Sequence, residues 1–275
     1  MQRVLTSAIG VPLVLAAVFL LKGWWFFAAI ALAVEGAAWE FTAILRVRAP
    51  KAPLRLLRLL APLAAWGISY AFTDPIDAGT LRYLLFAAVL LLSVGLGTLL
   101  LFSRTPLEET LPALGAFGFG LPYFAAATSS IHLLQRADPW LAFLLMAIVW
   151  LGDTAAYYVG SAVGRHKMAP VISPKKSWEG AAASFVVAVA AAAVWDVWRR
   201  GSLEPGLLAA AAAAAVAAQI GDLVESMVKR GSGVKDSGHI LPGHGGMLDR
   251  MDAMLFAAPV LLLGLWLAGV SAPGR

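Results

Sequence analysis

Apolar stretches long enough to cross a bilayer follow one another along almost the whole of this 275-residue chain, separated by short segments rich in Pro, Gly and charge. A helix of roughly 20 apolar residues spans about 30 Å of hydrocarbon. Nine spans are expected, near 4–21, 24–45, 54–73, 81–102, 111–134, 140–160, 178–198, 205–224 and 252–270. The fold class is therefore an all-α integral membrane protein with about nine transmembrane helices. The Ala-rich run Ala209–Ala215 in the eighth span reads as a buried bundle helix, because small side chains let neighbouring backbones approach closely. Composition agrees: 60% of residues are hydrophobic and 13% charged, where soluble domains carry about 25% charge. With no Cys, thiol catalysis, thiolate metal sites and a disulfide framework are excluded. Arg3 and the apolar run Val4–Leu21 end in no small-residue cleavage pattern, so this segment reads as a retained first helix.

Nine alternating spans assign every basic residue to a side. Fifteen of the 21 Lys and Arg fall on the side of the N-terminus, including Arg46, Arg48, Arg104, Lys167 and Lys235, and six on the other, including Lys22, Arg82 and Arg275. The positive-inside bias makes the N-terminus cytoplasmic and the C-terminus external. The expected organisation is an N-terminal group of about five spans over residues 1–135 and a C-terminal catalytic group of about four over 136–275. The latter carries cytoplasmic loops at 161–177 and 225–251.

Five acidic residues stand where a membrane protein should avoid them. Asp153 lies inside the sixth span, Asp222 and Glu225 end the eighth, and Asp249 and Asp252 open the ninth. A carboxylate in hydrocarbon costs several kcal/mol and normally faces a cavity with a partner. Asp249 and Asp252 share one helix face, as do Asp222 and Glu225. Converging carboxylates repel unless a cation intervenes, and Mg2+ favours carboxylate oxygens together with substrate phosphates. The blander reading is structural, with Asp249 capping its helix and Arg250 pairing with Asp222 or Asp252.

Between these helices runs a glycine-rich basic loop, from Lys229-Arg230-Gly231 through Lys235-Asp236 to His244-Gly245-Gly246. Its glycines allow backbone N–H groups to approach an anion. A second basic segment, Ser173-Pro174-Lys175-Lys176-Ser177-Trp178-Glu179-Gly180, precedes the seventh span. Ser173 is expected as an N-cap with Pro174 at the first helical position. Two lysines in a first turn would oppose the helix dipole, so an anion such as phosphate is expected to offset them. There is no G-x-x-x-x-G-K-[ST], and neither Gly118-Phe119-Gly120 nor Gly231-Ser232-Gly233 completes a dinucleotide loop. His239 and His244 lack the spacing of zinc ligands. Gly160-x-x-x-Gly164 permits close helix packing and is compatible with a homodimer.

Ser226, Lys229-Arg230, Lys235-Asp236, His244-Gly245-Gly246 and Asp249-Arg250-x-Asp252 together resemble the C-terminal signature of the phosphatidate cytidylyltransferase (CDP-diacylglycerol synthase) family. Gly152–Tyr157 and Ser173–Gly180 are similar to that family's other recurrent stretch, while residues 1–135 match in hydropathy alone. The resemblance implies a nucleotidyltransferase of phospholipid biosynthesis that joins CTP to phosphatidic acid, at the cytoplasmic face of a bacterial inner membrane. It implies metal ligation by Asp222 and Asp249, supported by Asp252, Asp153 and Glu225. The cofactor would be Mg2+, with a monovalent partner such as K+. Lys175 and Lys176 would bind the triphosphate, with Ser173, Ser177, Lys235, Gly245 and Gly246 also on substrate. Lys229, Arg230 and Arg250 would bind the lipid phosphate or pyrophosphate, and His244 joins the catalytic set. The partners would be the two substrates and membrane lipids, with no nucleic acid.

Two rival functions are consistent with parts of this pattern. A CTP-dependent polyprenol kinase would transfer the γ-phosphate to a lipid alcohol. An ion-coupled transporter would also carry intramembrane acids, but its polar sites should lie near the bilayer midplane. Here they cluster at the cytoplasmic ends of spans.

Overall fold

The computed structural model describes residues 2–73, 95, 98–100, 102–103, 105–238, 240 and 245–270, with side chains from residue 8. Its helices are α1 (Gln2–Leu20), α2 (Trp24–Leu45), α3 (Arg55–Thr73), α4 (Leu107–Ala137), α5 (Pro139–Val163), α6 (Trp178–Arg200), α7 (Pro205–Gly231) and α8 (Leu248–Leu267). Seven of these, α2 to α8, are long and apolar enough to cross a membrane; in α1 the apolar stretch Ala8–Leu20 is shorter. The expected fourth span, 81–102, lies almost wholly outside the described residues, as do Arg82, Arg104, His239, His244 and Arg275. The chain is a helical multi-pass membrane protein.

Two side-chain clusters form the interior. One joins α1, α5, α6, α7 and the C-terminal half of α8 around Leu144, Leu145, Ile148, Ala192, Ala211, Ala214 and Leu261. The other joins α2, α3, α4 and the first turns of α8 around Phe41, Leu54, Leu57, Phe117, Phe124, Leu248 and Leu255. Helix α8 therefore belongs to both, and its N-terminal turn sits where they meet. The Ala tract of α7 packs along α8 as the sequence leads one to expect: Ala210, Ala211, Ala214 and Ala215 are buried. A Cβ at Gly264 would fall 2.7 Å from that of Ala210. Lipid instead of water explains the exposed outer face, with Leu13, Leu20, Leu32, Leu63 and Phe72 all more than 60% accessible.

Polar contacts sort the loops to two ends of the bundle. At one end Arg48 donates to the Gly231 carbonyl (2.8 Å) and the Lys51 backbone N–H donates to Glu109 (2.8 Å). Arg230 there reaches the Ile172 carbonyl (3.4 Å). At the opposite end Gln135 donates to the Leu21 carbonyl (2.8 Å), and Arg199 pairs with Asp138 (3.1 Å) against the rings of Trp140 and Trp198. Aromatic rings stacked with arginine suit an interfacial belt.

The sequence expectation fails in one local detail. Lys167–Ala169 (β1) and Ser173–Ser177 (β2) form a two-stranded antiparallel ribbon. Ser173 is thus not an N-cap, and Lys175 and Lys176 are extended, not in a first helical turn. The cap is Ser177, whose hydroxyl accepts from the Gly180 N–H at 3.2 Å. A proline fits β2 because its partner strand pairs on one side only. The two lysines therefore owe nothing to a dipole conflict.

Candidate active site

Close backbone approach brings the acidic turns together. On α5, Gly152 and Gly160 face α6: a Cβ at Gly152 would fall 2.8 Å from Ser184 Oγ, and one at Gly160 only 3.6 Å from Gly180 Cα. The Gly160 seam is thus used within the chain. On α7, a Cβ at Gly221 would come within 2.8 Å of both the Asp252 carbonyl and Phe256. Without side chains at these crossings, α5, α6, α7 and α8 converge around one cavity of about 650 Å3. That volume lies in the range of small-molecule sites. The ribbon closes one side of it through Lys167, Lys175 and Lys176.

Asp153, Asp222, Glu225, Asp249 and Asp252 all line this cavity, together with Lys229 and Arg250. Asp222, Glu225 and Asp252 each offer a carboxylate oxygen within 4.8 Å of the other two. Glu225 and Asp252 are buried, and Glu225 Oε1 has no hydrogen-bond partner among the described residues. A buried carboxylate oxygen without a donor is costly. Three carboxylates with oxygens this close have the chemistry of a hard-cation site.

Asp249 stands beside this trio. Its Oδ1 accepts from Lys229 Nζ at 2.5 Å, and its Oδ2 accepts from the N–H groups of Gly246 (3.0 Å) and Ser237 (3.3 Å). Lys229 also meets Glu225 Oε2 at 2.6 Å, so one ammonium group bridges α7 and α8. From the opposite wall Lys176 Nζ reaches Asp222 Oδ2 at 2.7 Å. The basic ribbon and the acidic turns, far apart in sequence, are in direct contact.

Other residues singled out in the sequence lie elsewhere. Ser173, Arg230, Lys235, Gly245 and Gly246 do not line the cavity. Lys235 is exposed, and Arg230 binds the Ile172 and Val234 carbonyls. Gly245, at φ 82°, and Gly246 turn the chain beneath Asp249. Gln219 and Ser184, which the sequence did not mark, line the cavity. Glu40 on α2 was also missed, although it is fully buried and contacts the loop before α8. Its signal was visible: an acid inside an apolar span, the feature that marked Asp153.

A sequence profile described as "Cytidylyltransferase family" matches residues 1–268. This chain belongs to the cytidylyltransferase family. It is a nucleotidyltransferase. It is similar to a phosphatidate cytidylyltransferase of Pseudomonas aeruginosa, 36% identical over 99% of both chains. One from Haemophilus influenzae is 34% identical over 94% of this chain and 96% of its own. One from Bacillus subtilis is 36% identical over 70% of each. The similarity extends through the N-terminal half, where sequence reading found only shared hydropathy.

Proposed function

We propose that the protein is a phosphatidate cytidylyltransferase, converting CTP and phosphatidic acid to CDP-diacylglycerol and pyrophosphate at the cytoplasmic face of a bacterial inner membrane. The observation that carries this reading is the meeting of three carboxylates with lysines from two walls, in a cavity at the ends of membrane-spanning helices. The names of the relatives support the substrates.

In the reaction an oxygen of the lipid phosphate attacks the α-phosphorus of CTP, and the bond to the bridging oxygen of pyrophosphate breaks. The attacking phosphate is already ionised, so no general base is required. Transfers of this kind rest on positioning and charge neutralisation. Asp222, Glu225 and Asp252 would hold Mg2+, with Asp249 and Asp153 lining the same cavity; when bound, the ion would supply positive charge to the phosphates. Lys175 and Lys176 would receive the triphosphate. Lys229 holds Glu225 and Asp249 in place, and Arg250 lies on the same wall. The test is product analysis with purified protein: CDP-diacylglycerol and pyrophosphate should form in equal amounts, only with phosphatidic acid and Mg2+ present. Turnover of CTP independent of phosphatidic acid would overturn the reading.

A further inference from the structure

A buried acid on one of the N-terminal helices reaches the loop beside the proposed site. Glu40, on α2, is completely buried beneath the loop that joins α7 to α8. Its Oε2 accepts from the Leu248 N–H (2.8 Å), the first residue of α8, and from the Ser237 hydroxyl (2.9 Å). Helix α8 has no side-chain cap of its own, so Glu40 supplies one from another helix, where the positive dipole end favours a carboxylate. The approach is close: a Cβ at Gly238 or Gly246 would collide with the Glu40 carboxylate.

The two loop segments that Glu40 holds are the two that bind Asp249. Ser237 gives its hydroxyl to Glu40 and its N–H to Asp249 Oδ2. Gly246, packed on Glu40, gives its N–H to the same oxygen. Leu248 is the residue before Asp249. With Oδ2 occupied in this way, Oδ1 is turned to Lys229, which in turn pairs with Glu225 of the carboxylate trio. Farther out, Arg48, from the loop after α2, binds the Gly231 carbonyl at the other end of the same loop.

We propose that Glu40 is a positioning residue for the cation-binding site, acting through Ser237 and the α8 N-terminus to orient Asp249 and Lys229. The role extends the proposed function and rests on it: the N-terminal helices set the geometry of a site whose ligands all come from the C-terminal half. Groups one shell removed from a metal commonly change affinity or activity by about 10–100-fold.

The experiment uses full-length protein in detergent, with Glu40→Ala, Glu40→Gln and Ser237→Ala, and Mn2+ as the probe. Binding is read by the loss of free-ion paramagnetic resonance signal, and kcat and the KM for CTP are measured separately. Glu40→Ala should weaken Mn2+ binding and lower kcat by about tenfold each, with the KM for CTP changed much less. Glu40→Gln keeps an acceptor for the Leu248 N–H and should recover part of both. Ser237→Ala should show a smaller loss of the same kind. A purely stabilising role would lower the melting temperature yet leave Mn2+ affinity and kcat of the folded enzyme within about twofold of wild type, and that result overturns the proposal. If Glu40→Ala does not fold, unchanged Mn2+ binding in both Glu40→Gln and Ser237→Ala overturns it equally. Failure of the wild-type protein to bind Mn2+ or to make CDP-diacylglycerol would instead defeat the underlying functional reading.

Discussion

Lys176 Nζ on the ribbon lies 2.7 Å from the Asp222 carboxylate on α7. This contact joins a basic strand to an acidic helix end, and it places the expected triphosphate-binding group against an expected metal ligand. A triphosphate arriving with its cation would exchange this pair for Lys176–phosphate and Asp222–cation contacts.

The first consequence concerns CTP. Lys175→Gln and Lys176→Gln should raise the KM for CTP by about tenfold or more, the worth of one charge-assisted hydrogen bond of roughly 1.5–3 kcal/mol. The KM for phosphatidic acid at fixed surface concentration should change little. Steady-state kinetics with each substrate varied separately will check this. A change confined to kcat would mean that the ribbon acts on the transition state.

Lys229 should behave differently from its sequence neighbour Arg230. The ammonium group of Lys229 sits between Glu225 and Asp249, whereas Arg230 binds loop carbonyls outside the cavity. Removing one partner of a buried ion pair costs about 3–5 kcal/mol. Lys229→Gln should therefore lower both melting temperature and kcat, while Arg230→Gln should retain near-wild-type thermal stability. Thermal melts followed by activity assays separate the two.

Asn variants of Asp222 and Asp252 should insert and fold normally yet lose activity, each retaining less than about a tenth of wild-type turnover. Asp249→Asn, which also weakens the pairing with Lys229, should instead lose activity and melting temperature together. Chelation should silence the wild-type enzyme, with recovery on adding Mg2+. Substantial turnover in one variant would remove that residue from the assigned cation site.

Packing at Gly221 offers a test independent of charge. Gly221→Val places methyl groups against the Asp252 carbonyl and Phe256 and should destabilise the protein by about 1–3 kcal/mol, forcing the carboxylate trio apart. Gly67→Ala on α3, whose added Cβ meets nothing within 4 Å, is the control and should melt at or above the wild-type temperature. Equal melting temperatures for the two variants would contradict the crossing geometry.

Topology reporters fused after Arg48, Lys167 and Lys235 should all be cytoplasmic, and one after Arg275 external. The first three belong to segments that share one end of the bundle. A cytoplasmic reporter after Arg275 would mean an even number of spans.

Much of this was legible in the sequence because it depends on short spacings. Hydropathy located α2 to α8, with most ends within a few residues, although α7 continues past the expected end at 224 to Gly231. Three-residue spacing put Asp249 with Asp252, and Asp222 with Glu225, on single helix faces. The Ala tract read as a buried helix, and one face of it is buried, through Ala210, Ala211, Ala214 and Ala215, while Ala209 and Ala213 are exposed. The ribbon was not legible, since Ser173–Ser177 shows no alternating apolar pattern and Ser-Pro imitates a helix start. Neither was the division among the acids. Which carboxylates form the trio depends on how Gly221 lets α7 meet α8, and Asp249 is drawn toward Lys229 and two backbone N–H groups. Glu40 escaped notice because its partners lie some two hundred residues away, although its position inside an apolar span was a sufficient signal.

The central claim is that the chain transfers a cytidylyl group to a lipid phosphate. It is tested most directly by following two labels through one reaction of purified protein with CTP, phosphatidic acid and Mg2+. Phosphorus label at the α position should appear in the lipid product, and label at the γ position should appear only in pyrophosphate. Label from the γ position in the lipid, or no cytidine-bearing lipid from either experiment, would contradict the account.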